Sequence, residues 1–213
     1  MLDVHAPQHG VHGVRDFFIH LLTITVGLFI ALTLEAGVEA LHHRHERKEA
    51  EAMIRQELME NREKVQQNAA RIKTEIAGMT KVLEALDALS KGQPPVMPED
   101  KDVEFGEGPI QDSAWRTANS TGVLSYMEYS EVEQFSHAHK EQDQLEAMQE
   151  QTLDDYLQMG AVLASVPLPS GAHVSPERAK EALPYARHAI AHLRGMDALC
   201  VGTLGSYDDA LKK

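Results

Sequence analysis

The apolar positions fall into two regimes, one continuous and one periodic. From Phe17 to Leu34 the chain reads FFIHLLTITVGLFIALTL, with His20 as its only ionisable side chain. Eighteen helical residues rise about 27 Å, close to the ~30 Å hydrocarbon core of a bilayer. Ala36, Gly37, Val38 and Ala40 extend the stretch, with Glu35 and Glu39 set toward its end. This pattern predicts a transmembrane helix over 17–41, preceded by a polar leader at 1–16. A cleaved signal peptide would have a basic start and a shorter apolar run. The leader MLDVHAPQHGVHGVRD is not basic, and a core helix this apolar would need a larger apolar shell than the remaining sequence supplies.

Beyond it the pattern becomes periodic. Residues 42–90 contain no Pro, and the only Gly among them is Gly78. Apolar residues stand at Ile54, Leu58, Val65, Ala69, Ile72, Ile76, Met79, Leu83 and Leu86. From Val65 the steps alternate four and three, which predicts a long stalk helix with one packing face, whose reach a bend at Gly78 or near the membrane surface would shorten. Asn61 and Asn68 lie at related positions, where they would weaken or register the seam. Lys91-Gly92 and the prolines at 94, 95 and 98 end this helix.

Residues 91–129 are expected to form a loop with a short helix around Trp115, ending at Gly122. A helical hairpin over 130–213 completes the pattern. Its first helix is expected to start at a Ser130–Glu133 capping box and run to about Ser165. Val132, Phe135, Leu145, Met148, Tyr156, Leu157 and Leu163 would face inward. After VPLPSGAHV, the run Ser175-Pro176-Glu177 is a strong start signal. Ala186, Ile190, Leu193, Cys200, Leu204, Tyr207 and Leu211 mark the last seam, with position 197 as a gap and Pro184 as a kink or second start. The expected fold is all-α: one N-terminal transmembrane helix continues into the stalk helix, which packs with two further long helices as an antiparallel bundle.

Charge narrows the partners. The formal charge is −13 and aromatics make up only 5% of the chain, which leaves neither a basic face nor stacking platforms for nucleic acid. The single Cys200 allows no internal disulfide. Arg44, Arg47 and Lys48 outnumber Arg15 across the apolar stretch, which puts the soluble domain on the cytoplasmic side. Within the membrane helix, His20, Thr23, Gly27, Ala31 and Glu35 share a face. Gly27 and Ala31 form a small-xxx-small pair that suits close helix–helix approach. The expected partners are therefore the bilayer, and a second copy or another membrane protein.

Candidate chemistry is sparse. His42, His43 and His45 cluster after the membrane segment, but neighbouring positions on a helix diverge and cannot share one ion. They fit an interfacial collar. His188 and His192, one turn apart, are the only metal candidates worth naming; both are expected to face solvent with no third ligand. His137 and His139 diverge in the same way. No nucleotide-binding loop or nucleophile elbow occurs, and Cys200 falls on an apolar seam. No cofactor and no catalytic residue is expected. Trp115, Tyr126, Tyr129 and Phe135 form either a ligand pocket or an aromatic plug at one end of the bundle.

Two blocks carry a resemblance. HLLTITVGLFIALTLEAGVEALHHRHERKEAEAMIRQELMENR contains a G-L-x-I-A-L helix running into a charged stalk that ends at E-L-x-x-N. SAWRTANSTGVLSYMEYSEVEQF follows it, with a Trp, then T-G, then an aromatic-rich helix start. In this order they resemble an uncharacterised family of small bacterial single-pass inner-membrane proteins with a helical soluble domain. The resemblance implies a bacterial inner membrane and supplies no active-site residues. The functional expectation is a membrane-anchored scaffold or accessory subunit acting through helix–helix contacts; a sensor or small-ligand-binding bundle is the alternative.

Overall fold

The structure is a computed structural model that describes residues 13–99, 105–106, 108–164 and 174–212. Most of the polar leader and of the VPLPSGAHV break lies outside the described residues. Every regular element among the described residues is helical. α1 spans Val14–Ser90, α2 Ser113–Thr121, α3 Tyr129–Ala164 and α4 Pro176–Leu211, with a 3₁₀ turn at Val123–Tyr126 between α2 and α3. Two compact units divide at Lys48 and Glu49, within α1.

The first unit consists of the N-terminal part of α1. It contains an 18-residue window long and apolar enough to cross a membrane, none of it buried among the described residues. The threonine hydroxyls of this part are satisfied locally: those of Thr23, Thr25 and Thr33 donate to the carbonyls of Ile19, Leu21 and Phe29 one turn back. The helix runs on through Gly37 and, in the second unit, through Gly78, with no break at either.

In the second unit the buried face of α1 contains a four–three alternation of Ile54, Leu58, Asn61, Val65, Asn68, Ile72, Glu75, Met79, Val82 and Leu86, with Glu57, Gly78 and Ala85 buried beside it. Ala69, Ile76 and Leu83, expected on the seam, are only half-buried at its flank. Their neighbours Asn68, Glu75 and Val82 take the central positions. Counting apolar residues alone therefore passes over Asn68 and Glu75, because both are polar.

α3 and α4 pack antiparallel. Gln142 meets Tyr207, Thr152 meets Met196, and Asp155 meets His192, so α4 descends as α3 ascends. α1 does not alternate with them as an antiparallel neighbour on both sides. Arg55 pairs with Glu131, Glu57 approaches His139, and Asn61 bonds Gln142, so α1 and α3 run in the same direction. Contacts of Arg55 with Ala210 and of Arg62 with Asp208 set α4 against α1. The wholly antiparallel bundle is thus corrected to a bundle with two parallel long helices and one reversed. The reason lies in the connection after α1, which travels back along it.

Local signals account for most helix ends. Gly92 (φ 68°) follows α1, and Gly122 (φ 77°) ends α2 in the left-handed region, where a side chain would be strained. Ser175 caps α4 by accepting from Arg178 N at 3.4 Å, with Pro176 at the first helical position. α4 continues unbroken past Pro184, which is exposed. α3 starts earlier than expected: the Glu128 carbonyl accepts from Glu131 N and Val132 N, which leaves Ser130 inside the first turn instead of at the cap. Leu157, expected inward, is 62% exposed, because the buried line of α3 passes through Thr152, Asp155 and Met159. On α4, Met196 is fully buried and fills the gap left at position 197.

Candidate functional site

The polar positions of the α1 seam converge on one buried network. Glu57 comes first. α2 begins after Asp112, whose side chain makes no capping bond. Glu57 supplies the cap from another helix. Its Oε2 accepts from Ser113 Oγ at 3.0 Å and Ala114 N at 2.7 Å, and its Oε1 from Trp115 N at 3.3 Å. A carboxylate here meets both the free N–H groups and the positive end of the helix dipole.

Asn61 lies one turn further along. Its Oδ1 accepts from Gln111 N at 2.9 Å, and its Nδ2 donates to Gln111 O at 2.5 Å. Nδ2 also reaches Gln142 Oε1 at 3.2 Å, and Gln142 Nε2 donates to Gln111 O at 3.2 Å. Tyr207 of α4 donates to Gln142 Oε1 at 2.8 Å. Asn61, Gln142 and Tyr207 are all fully buried, so these bonds form where an unpaired polar atom would be costly.

The same device repeats seven residues on. Asn68 accepts from Gly108 N at 3.1 Å and donates to Gly108 O at 3.2 Å. Seven further, Glu75 Oε1 accepts from Gly106 N at 3.3 Å, while Arg71 donates to Gly106 O. Residue numbers in the connection rise as those on α1 fall. The connection is therefore a strap running back along α1, held by side chains that read only its main chain.

Burial shapes the proton affinities here. The Tyr207 phenol is pushed up well past its ordinary value, first by desolvation and then by the charges of Glu146, Glu57 and Cys200. Tyr156 is pushed up in the same way by desolvation and Glu75; its ring lies 5.0 Å from Phe105. Glu146 is raised by desolvation, which outweighs the bond from Gln142. Beside the network, Arg55 is half-buried, and desolvation acts to lower its affinity for the proton. Bonds to Glu131 (2.7 Å) and Glu51 (3.0 Å) more than offset this. Its guanidinium also sits 5.3 Å from the centre of the Phe135 ring.

The four expected aromatic residues occupy different settings. Phe135 is fully buried and Trp115 half-buried, while Tyr126 and Tyr129 are 43% and 81% exposed. Trp115 stacks on His139, with ring centroids 4.8 Å apart and planes 15° from parallel. Tyr129 lines a shallow surface groove with Val132, Glu133, His137 and Lys140.

The other named positions are placed as follows. His188 is exposed and His192 half-buried, and a residue from α3 that sequence spacing could not reveal joins them: Asp155 lies 2.7 Å from His192 Nδ1 and 3.9 Å from His188 Nδ1. The 2.7 Å contact is a hydrogen bond, whereas ligands around a tetrahedral zinc stand roughly 3.3 Å apart. Among the described residues no group of three or more His, Cys, Asp or Glu is arranged to hold a metal ion. In the first unit, His42 and His43 lie 3.1 and 3.4 Å from Glu46, and His43 lies 3.5 Å from Glu39. His20, Thr23, Gly27, Ala31 and Glu35 are all exposed, and a Cβ added at Gly27 would meet nothing within 4 Å. Cys200 is buried in the α4 seam.

Sequence reasoning had not brought Glu57, His139, Gln142 and Tyr207 together. The available signal was the seven-residue spacing of Asn61, Asn68 and Glu75 on a seam otherwise filled by aliphatic residues. Comparison with protein families, with curated proteins and with solved structures finds no match.

Proposed function

We propose that this chain is a membrane-anchored helical scaffold or accessory subunit that works through helix–helix contacts, without catalytic chemistry of its own. The observation that carries this reading is the 18-residue apolar window of α1, long enough to cross a membrane and uncovered among the described residues. An apolar surface of that size needs lipid or another helix against it. The face of His20, Thr23, Gly27, Ala31 and Glu35 suits a helix partner, because Gly27 and Ala31 allow close backbone approach. That partner is a second copy or another membrane protein. The membrane is a bacterial inner membrane, the location the family resemblance implies, with the soluble domain on the cytoplasmic side.

The second unit supports the reading through what it does with its polar groups. Its buried carboxylate, amides and phenol bond to the strap and to one another, which suits a rigid body that presents a surface. The test is sizing in detergent combined with crosslinking of a Gly27→Cys variant. The only native thiol, Cys200, is buried, so the introduced one reports alone. A crosslinked dimer, or a membrane protein that co-purifies reproducibly, supports the proposal. A strictly monomeric chain that co-purifies with nothing overturns it.

A further inference from the structure

His139 is 4% exposed, and its two ring nitrogens face different partners. Nδ1 lies 2.7 Å from the Phe135 carbonyl oxygen, one turn back on α3. A carbonyl can only accept, so Nδ1 carries a proton. In a neutral imidazole that is the only ring proton, and Nε2 would then present a bare lone pair. Among the described residues Nε2 is buried with no hydrogen-bond partner, and it faces Glu57 Oε1 at 3.6 Å. Both oxygens of Glu57 already accept main-chain N–H groups of α2, at Ala114 and Trp115. The carboxylate is therefore fixed as an acceptor on this side. Two acceptors pressed together away from water repel; an acceptor and an N–H attract.

We propose that Glu57 and His139 hold a proton on His139 Nε2, and that this imidazolium–carboxylate pair is a pH-sensitive latch fastening α2 to the bundle. The stacking of Trp115 on His139 is a second, independent feature that favours the charged ring, because an indole face attracts a cation. The charged surroundings are consistent with one added positive charge. α1 presents Glu57 in front of the ring, and Arg55 over Phe135 is already engaged by Glu51 and Glu131. α3 carries Glu146 further along, bonded to Gln142. α4 contributes Tyr207, which feels the charge of Glu57 and donates to Gln142. α2 contributes Trp115. Losing the proton as pH rises turns the Glu57–His139 contact repulsive. Glu57 is also the cap of α2, so the N-terminal turn of α2 and Trp115 shift together. A proton sensor of this kind needs only one histidine and a two-state element to act on.

Trp115 is the only tryptophan in the chain, so its fluorescence reports the latch directly. The full-length protein in detergent micelles is titrated from mildly acidic to mildly alkaline pH, following tryptophan emission and helical circular dichroism. The expected result is one reversible emission step with helix content unchanged, lost in both His139→Gln and Glu57→Gln. Should either variant fail to fold, nitrogen NMR of the wild-type imidazoles decides: His139 is expected as a doubly protonated ring on the acidic side of the step. A wild-type emission that stays flat, a step that persists unchanged in a folded His139→Gln variant, or a His139 Nε2 without a proton on the acidic side each overturns the proposal.

Discussion

Asn61 holds Gln111 by both halves of its main chain, accepting from the N–H at 2.9 Å and donating to the C=O at 2.5 Å. A side-chain amide carries one acceptor and a donor in nearly the same arrangement as a peptide group, so it can pair with an extended segment as a neighbouring strand would. Asn68 does the same to Gly108. Two asparagines seven residues apart thus extend a helix surface with two strand-like contacts, and the seam of α1 binds a strap as well as helices.

Asn61→Leu separates this role from that of a register-setting seam residue. In a simple coiled coil, an apolar replacement of a buried Asn raises stability. Here it removes the partner of Gln111 and one partner of Gln142, and a loss of about 1–3 kcal/mol is expected. Chemical denaturation measures the loss, and faster amide exchange at Gln111 locates it. A more stable variant would show that the strap contacts contribute nothing.

Two buried phenols should respond oppositely to the same change. Tyr207 donates to Gln142, whereas Tyr156 OH is buried with no hydrogen-bond partner. Tyr207→Phe is expected to cost about 1 kcal/mol, and Tyr156→Phe to be neutral or slightly stabilising. Equal losses in thermal melts of the two variants would contradict the assignment.

Alkaline pH tests the same residues together. Both phenols have folded-state proton affinities raised by burial, so the folded chain keeps protons that the unfolded chain releases. Stability is then fully present below the ordinary tyrosine value of about 10 and declines as pH climbs past it. Ultraviolet titration should show two tyrosines ionising only as helicity is lost. Complete ionisation with the helix signal intact would disprove this.

Gly122 isolates a backbone effect. Its φ of 77° is left-handed, and an added Cβ would meet no atom within 4 Å. Gly122→Ala should therefore cost about 1 kcal/mol through conformation alone, and Gly122→Asn less. If Ala and Asn are equally harmful in denaturant melts, some cause other than the left-handed turn is operating.

Met196 and Leu157 make a matched pair on the facing helices. Met196 is fully buried and Leu157 is 62% exposed. Met196→Ala is expected to lose about 2–5 kcal/mol, whereas Leu157→Ser stays within about 0.5 kcal/mol of the parent. The apolar pattern alone favours the opposite ranking, since it includes Leu157 and passes over position 196.

These pairs show where sequence periodicity succeeds and where it stops. The helical class and the ends at Gly92, Gly122 and Ser175 follow from local chemistry, which acts within a few residues and is written in the chain. The choice between Ala69 and Asn68, or Ile76 and Glu75, as the central seam residue depends on whether a polar side chain has a partner. For Asn68 that partner is the main chain of Gly108, forty residues away. The direction of α3 relative to α1 was hidden for the same reason. A long Pro- and Gly-rich connection permits a return path but does not announce one, and only the clasped strap makes the two helices parallel. His192 and Asp155 illustrate a further limit, because a contact between side chains on two helices leaves no spacing to recognise.

The strap also bears on the order in which the fold can assemble. α3 and α4 meet through pairs 37 to 65 residues apart, such as His192 with Asp155 and Tyr207 with Gln142. α1 reaches α4 through pairs 146 and 155 residues apart, at Arg62 with Asp208 and Arg55 with Ala210. Closing the larger loop costs more entropy, so the hairpin is the natural nucleus and α1 docks onto it late. Substitutions on the α1 seam should then speed unfolding while leaving the refolding rate nearly untouched. Until it docks, the helix carries Asn61, Asn68 and Glu75 along its open face, and that interrupted stripe offers a poor surface for aggregation.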